Sequence, residues 1–130
     1  NLFGRTPEET ATIEMWLRRA EMMVATPIMM GVRHTHPAMG ALEAQVPVIG
    51  EHNITGATRA LKVLDRRLAE SEWIAADRLT IADIIAFVGL DFGRMIKFRL
   101  PDDLTHITRW ADAMRARPAA QAGMPQKVPA

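Results

Sequence analysis

An all-α bundle is the fold class this sequence predicts, and three observations predict it. Apolar residues recur at helical spacing over four segments. Two of those segments open on capping signals. No alternating strand pattern or hairpin turn interrupts them across the 130 residues. A chain of this length buries roughly two thirds of the surface its unfolded form exposes, so one core is expected. The reading is one helical domain over residues 1–120 and a loose tail, "QAGMPQKVPA", over 121–130.

The first helix starts at Thr6-Pro7-Glu8-Glu9, with Thr as N-cap, Pro in the first turn and Glu at the third position. Ile13, Trp16, Leu17, Ala20, Met23 and Val24 then form one stripe, and Pro27 is expected to kink or end the run. At about 100° per residue, Met15 and Met22 fall nearly opposite that stripe. Met29 joins them if the helix keeps its phase past Pro27. Residues 31 to 46 contain Pro37 and Gly40 without a sustained period and read as an irregular connector with one short helical turn.

A second long helix is predicted from about Pro47 to Glu70. It buries Ala57, Ala60, Leu61, Leu64 and Leu68 and turns Thr55, Arg59, Lys62 and Arg66 to water. The third begins in "DRLTIADIIAFVGLDF". Thr80 and Asp83 have the spacing of a capping box, and Leu79 and Ile84 that of a hydrophobic staple. Its apolar residues surround the axis, which places it at the centre of a bundle, with Arg99-Leu100-Pro101 as its end. Leu104, Ile107, Ala111 and Met114 define a shorter helix stopped by Pro118.

Sixteen basic and fifteen acidic residues leave a net charge of +1, so no strong field calls for nucleic acid. Arg18-Arg19 and Arg66-Arg67 read as solvated helix faces. The longest apolar run, Ile84 to Leu90, is far shorter than the roughly 20 residues a bilayer requires, and no membrane partner is expected. Absence of Cys removes thiol nucleophiles and thiolate metal sites and fits a reducing, cytoplasmic compartment. His34 and His36 could seed a metal site with His52 or His106, but no acidic or thiol partner stands at ligand spacing, so no metal is assigned. The start at Asn1 rather than Met suggests a missing upstream part.

The succession of a long helix with Trp16, a second long helix, "WIAADRLTIADI" and the ending "RWADAMRARP" resembles the C-terminal helical domain of soluble glutathione transferases, bacterial types especially. The likeness covers nearly the whole chain. "NLFG" at the start resembles the exit from that family's interdomain linker, and Ala76 stands where members commonly have Gly.

The resemblance implies a dimeric protomer whose N-terminal thioredoxin-like domain binds glutathione as co-substrate, with this chain as one wall of a pocket for a hydrophobic electrophile. The family's thiol-activating Tyr, Ser or Cys lies in that first domain. This chain has no Tyr or Cys, and its single Ser, Ser71, falls in a loop, so no catalytic residue is assigned within it. Met22, Thr26, Met29 and Met30 are the candidates for the pocket wall, because methionine is flexible and polarisable. The same residues could equally fill a core or a subunit interface. Arg18 and Arg19 could reach glutathione held by the other subunit. A non-catalytic protein-interaction module of the same fold is the alternative function.

Overall fold

The computed structural model describes residues 1–122, whose regular secondary structure is entirely helical. The first helix, α1 (Pro7–Ala20), opens with the Thr6 hydroxyl accepting from the Glu9 N–H at 3.2 Å. The Glu9 carboxylate reaches back to the Arg5 N–H at 2.6 Å.

Pro27 does not end this helix. Residues Glu21–Ala25 form a π turn, and α2 (Thr26–Thr35) continues the rod. A proline ring collides with the carbonyl four residues earlier in α geometry. Here the preceding turn is widened instead, with the Thr26 N–H bonded to the Glu21 carbonyl five residues back. The extra residue shifts the phase of everything beyond it. The buried apolar side chains are Ile13 and Trp16, then Ala20, Val24, Ile28 and Val32 at unbroken four-residue steps. Met23, expected in the core stripe, is turned out and is 41 % exposed.

The rod lies along α3 (Pro47–Glu70), which buries Ala57, Ala60, Leu61, Leu64 and Leu68 and exposes Thr55, Arg59, Lys62 and Arg66. Gly50 marks the crossing: a Cβ there would stand 2.8 Å from the Thr35 Cγ2. Arg67 departs from the solvated face expected of it. It is half-buried, donates to the Ile74 carbonyl at 2.8 Å and lies over the Trp16 ring, 5.8 Å from its centroid.

The connector is shorter than the sequence suggests, because residues 31–35 belong to α2 and only Pro37–Ala41 forms a short 3-10 turn. Buried His34 fixes it, its Nδ1 accepting from the Val46 N–H at 3.1 Å. Gln45 adds donations to the Arg33 and His36 carbonyls at 2.9 and 2.8 Å.

Next comes α4 (Ile81–Phe92), which packs on the rod through its small residues Ala82, Ala86 and Gly89. A Cβ on Gly89 would lie 2.6 Å from the Cα of Ala25, so the helices touch backbone to backbone at the π turn. The larger side chains point elsewhere. Ile84, Ile85 and Phe87 are half-buried, and Val88 is 58 % exposed.

This helix ends at Phe92, before the Arg99-Leu100-Pro101 stop, in a 3-10 turn over Gly93–Ile96 closed by left-handed Lys97. The last long element, α5 (Thr105–Arg115), buries Ile107, Trp110, Ala111 and Met114. Its N-terminus is capped from another helix, since the Asp65 Oδ1 accepts the Ile107 N–H at 2.8 Å. Residues 121 and 122, expected in the loose tail, lie in α6 (Pro118–Ala122), and the remainder, 123–130, is outside the described residues.

Candidate functional site

Two kinds of surface compete for a functional reading: a buried polar cluster at the start of α4, and apolar depressions along the rod. The polar cluster centres on Asp83, which has no solvent exposure. Its Oδ2 accepts from the Thr80 N–H at 2.9 Å and the Thr80 hydroxyl at 3.0 Å. Its Oδ1 accepts from the Ile74 N–H and the Trp110 Nε1–H, both at 2.9 Å.

Four donors therefore close on one carboxylate and tie together the loop after α3, the start of α4 and the indole of α5. A carboxylate so enclosed cannot reach a substrate. It is an organising group. The spacing of Thr80 and Asp83 signals the cap, whereas the Trp110 and Ile74 bonds span 27 and 9 residues and have no local sequence signal. Leu79 and Ile84 are half-buried and share the wall of one groove with Phe87 and Met114.

A second polar junction holds the start of the chain against the loop before α4. Arg78 pairs with Glu9 and donates to the Asn1 carbonyl at 3.1 Å, and the Ile81 N–H donates to the Leu2 carbonyl at 3.1 Å. The Arg78 guanidinium and then the Arg5 N–H hold the Glu9 carboxyl at a pKa of about 2.

The four pocket candidates are not brought together. Met29 lies in a depression of about 330 Å³ with Val32, Met39, Leu42 and Phe92, beside the Arg33–Glu43 ion pair. Met22 lies in another of about 380 Å³, with Met23, Pro27, Arg59 and Val63. Neither is lined by Thr26, which is exposed, or by Met30, which is half-buried. The π turn separates the methionines, because one added residue rotates Met29 by about 100° from the position the wheel assigns it. Phe92, Val32 and Met39 are the neighbours that sequence reasoning missed for Met29.

Among the described residues no group of three His, Asp, Glu or Cys side chains is arranged to hold a metal ion. His34 and His36 accept backbone N–H groups through Nδ1. Arg18 pairs with Glu14 and Glu21 on the surface, and Arg19 lies over the Trp16 ring, 4.9 Å from its centroid. No helix among the described residues is long and apolar enough to cross a membrane.

Residues 33–118 match the family model for the glutathione S-transferase C-terminal domain. The chain belongs to that family. Among curated relatives of this glutathione S-transferase C-terminal domain, Glutathione S-transferase 2 of Saccharomyces cerevisiae is 28 % identical over 123 residues, covering 92 % of the chain and 52 % of the relative. Glutathione S-transferase 4 of Zea mays is 28 % identical over 122 residues, covering 92 % and 54 %.

Solved structures agree with the fold. Gtt2 from Saccharomyces cerevisiae superposes with a TM-score of 0.87 at 28 % identity, over 93 % of the chain and 59 % of that protein. A glutathione S-transferase domain-containing protein of Marinobacter aquaeolei VT8 gives 0.85 at 35 % identity, over 92 % and 59 %. The chain spans about half the length of the curated relatives it matches.

Proposed function

We propose that this chain is the helical half of a cytoplasmic, homodimeric glutathione transferase and supplies the electrophile-binding wall. The observation that carries the reading is the pair of separate apolar depressions, around Met29 and around Met22, on a domain whose polar cluster is wholly enclosed. The Met29 depression is assigned to the hydrophobic electrophile. The face bearing Met15 and Met22 is assigned to the second subunit. The junction of residues 1–5 with Glu9, Arg78 and Ile81 anchors the linker from an N-terminal thioredoxin-like domain.

In the reaction, the glutathione thiolate attacks an electrophilic carbon and forms a carbon–sulfur bond as the leaving group departs with its electron pair. Thiol activation and the cradle for the tripeptide belong to the N-terminal domain. The role of this chain is to bind the electrophile's apolar body, exclude water from it and aim it. Thioethers at Met29 and Met39 adapt to differently shaped bodies, which suits a broad range of apolar substrates. The Asp83 cluster sets the rigidity on which that wall stands.

Calorimetric titration with glutathione and a conjugation assay with a reactive aryl halide test the division of labour. The chain alone should bind glutathione weakly or not at all and show no turnover, while the full-length protein does both. Tight glutathione binding or turnover by the chain alone would overturn the reading. A full-length protein inert toward every electrophile would favour the non-catalytic interaction module.

A further inference from the structure

A cavity of about 500 Å³ opens between the end of α4 and α5, sharing no residue with either apolar depression. Its apolar part is made by Leu90, Phe98 and Leu100. Four cations also line it: Arg94, Lys97, Arg99 and Arg115, against one acid, Asp102. Two of these cations already have carboxylate neighbours. Arg94 pairs with Asp91 at 2.7 Å and Arg115 with Asp112 at 3.0 Å. The side chains of Lys97 and Arg99 have no ion pair or hydrogen bond among the described residues.

The backbone supplies a second, independent observation. After Gly93–Ile96 the chain turns sharply, the Lys97 N–H donating to the Arg94 carbonyl and the Phe98 N–H to the Gly93 carbonyl, both at 3.0 Å. This closure puts Lys97 at φ 58°, and it is the one described non-glycine residue with positive φ. Glycine is the usual occupant of such a position because it carries no Cβ. A lysine here forgoes backbone ease and is itself one of the residues that line the cavity.

We propose that this cavity binds a small phosphomonoester carried on an aromatic or alkyl body. The volume lies within the range of small-molecule sites, about 300–1,000 Å³, and exceeds what a bare anion fills. A phosphomonoester carries roughly −1.5 to −2 at pH 7, which suits a lining of four cations against the single acid Asp102, and its three terminal oxygens accept from Lys97 and Arg99, whose side chains have no partner among the described residues. The organic body lies against Phe98, Leu90 and Leu100.

Isothermal titration of the full chain with phenyl phosphate, benzoate and inorganic phosphate tests the assignment. Phenyl phosphate should bind saturably, with benzoate and inorganic phosphate about tenfold weaker or more. Lys97→Gly and Arg99→Gln should each weaken phenyl phosphate about tenfold, the loss of a charge-assisted hydrogen bond. Lys97→Gly should at the same time raise Tm, because glycine accepts the left-handed backbone more easily. Opposite signs on affinity and Tm separate a ligand role from a merely structural one. Absence of saturable phenyl phosphate binding at millimolar concentration would overturn the proposal. So would variants that bind as the parent does, or benzoate or inorganic phosphate binding as tightly as phenyl phosphate.

Discussion

Asp83 and Met22 stand at opposite extremes of this chain: a carboxylate with no solvent exposure and four hydrogen-bond donors, and a thioether side chain 68 % exposed on the rod. Each is where simple hydrophobic sorting would not put it, and the reasons differ. A buried acid is stable only when its lone pairs are taken, and here backbone, hydroxyl and indole donors take them, so its location needs no substrate to explain it. An exposed methionine has no internal compensation. Met15, 42 % exposed, and Met23, 41 % exposed, are likewise open on the rod and have no internal compensation.

The first way to break this contrast is to empty the buried acid. Asp83→Ala should destabilise the fold by about 3 kcal/mol or more, since the N–H groups of Ile74 and Thr80 and the indole N–H lose their acceptor in a site without water access. Denaturant unfolding midpoints measure this. A loss below about 1 kcal/mol would mean the cluster is not what holds α4 in place.

Next in size is the exposed face. Met15→Glu with Met22→Glu should weaken the proposed dimer while leaving the monomer helical, because each large apolar side chain buried at an interface contributes roughly 1.5–3 kcal/mol. Sedimentation velocity and circular dichroism read the two quantities. A parent that stays monomeric at high concentration, with the variant indistinguishable from it, would make these methionines ordinary surface residues.

Smaller effects sharpen the comparison. Gly89→Val should cost about 1–3 kcal/mol through overpacking against the Ala25 backbone, visible as a lowered Tm. Thr80→Ala should cost on the order of 1 kcal/mol and leave conjugation by the folded full-length protein unchanged. Smallest is the Glu9–Arg78 junction. Because folding lowers the Glu9 pKa to about 2, its contribution to stability is whole above the ordinary carboxylate range and disappears as pH falls from there through about 2. Arg78→Gln should return the Glu9 titration, followed by carboxyl NMR, toward the ordinary value. An unchanged titration would leave the Arg5 N–H as the sole cause.

Much of the fold was legible because its signals are local. Thr6 with Pro7, the apolar period of α3 and the Thr80–Asp83 spacing each act within one or two turns. The π turn was the hidden element, and it left a trace: buried residues at 16, 20, 24, 28 and 32 keep a four-residue step that a 3.6-residue helix cannot hold on one face. Expecting a kink or an end at Pro27 rather than a π turn before it obscured that trace, and α spacing carried through residues 21–25 misplaced Met23 and grouped Met29 with Met22.

The bonds of Asp83 to Trp110 and of Asp65 to Ile107 arise from tertiary docking, and no periodicity in the sequence marks them. The same holds for Arg67, which looks solvated on a helical wheel until the loop carrying Ile74 folds over it.

The division between a structural polar cluster and a functional apolar wall is tested most directly by steady-state conjugation kinetics of the full-length protein carrying Met29→Glu. A carboxylate in that depression should oppose entry of an apolar electrophile. KM for the aryl halide should rise about tenfold or more while KM for glutathione stays at the parent value. A rise in KM for glutathione with that for the aryl halide unchanged would contradict the account and move the electrophile away from Met29.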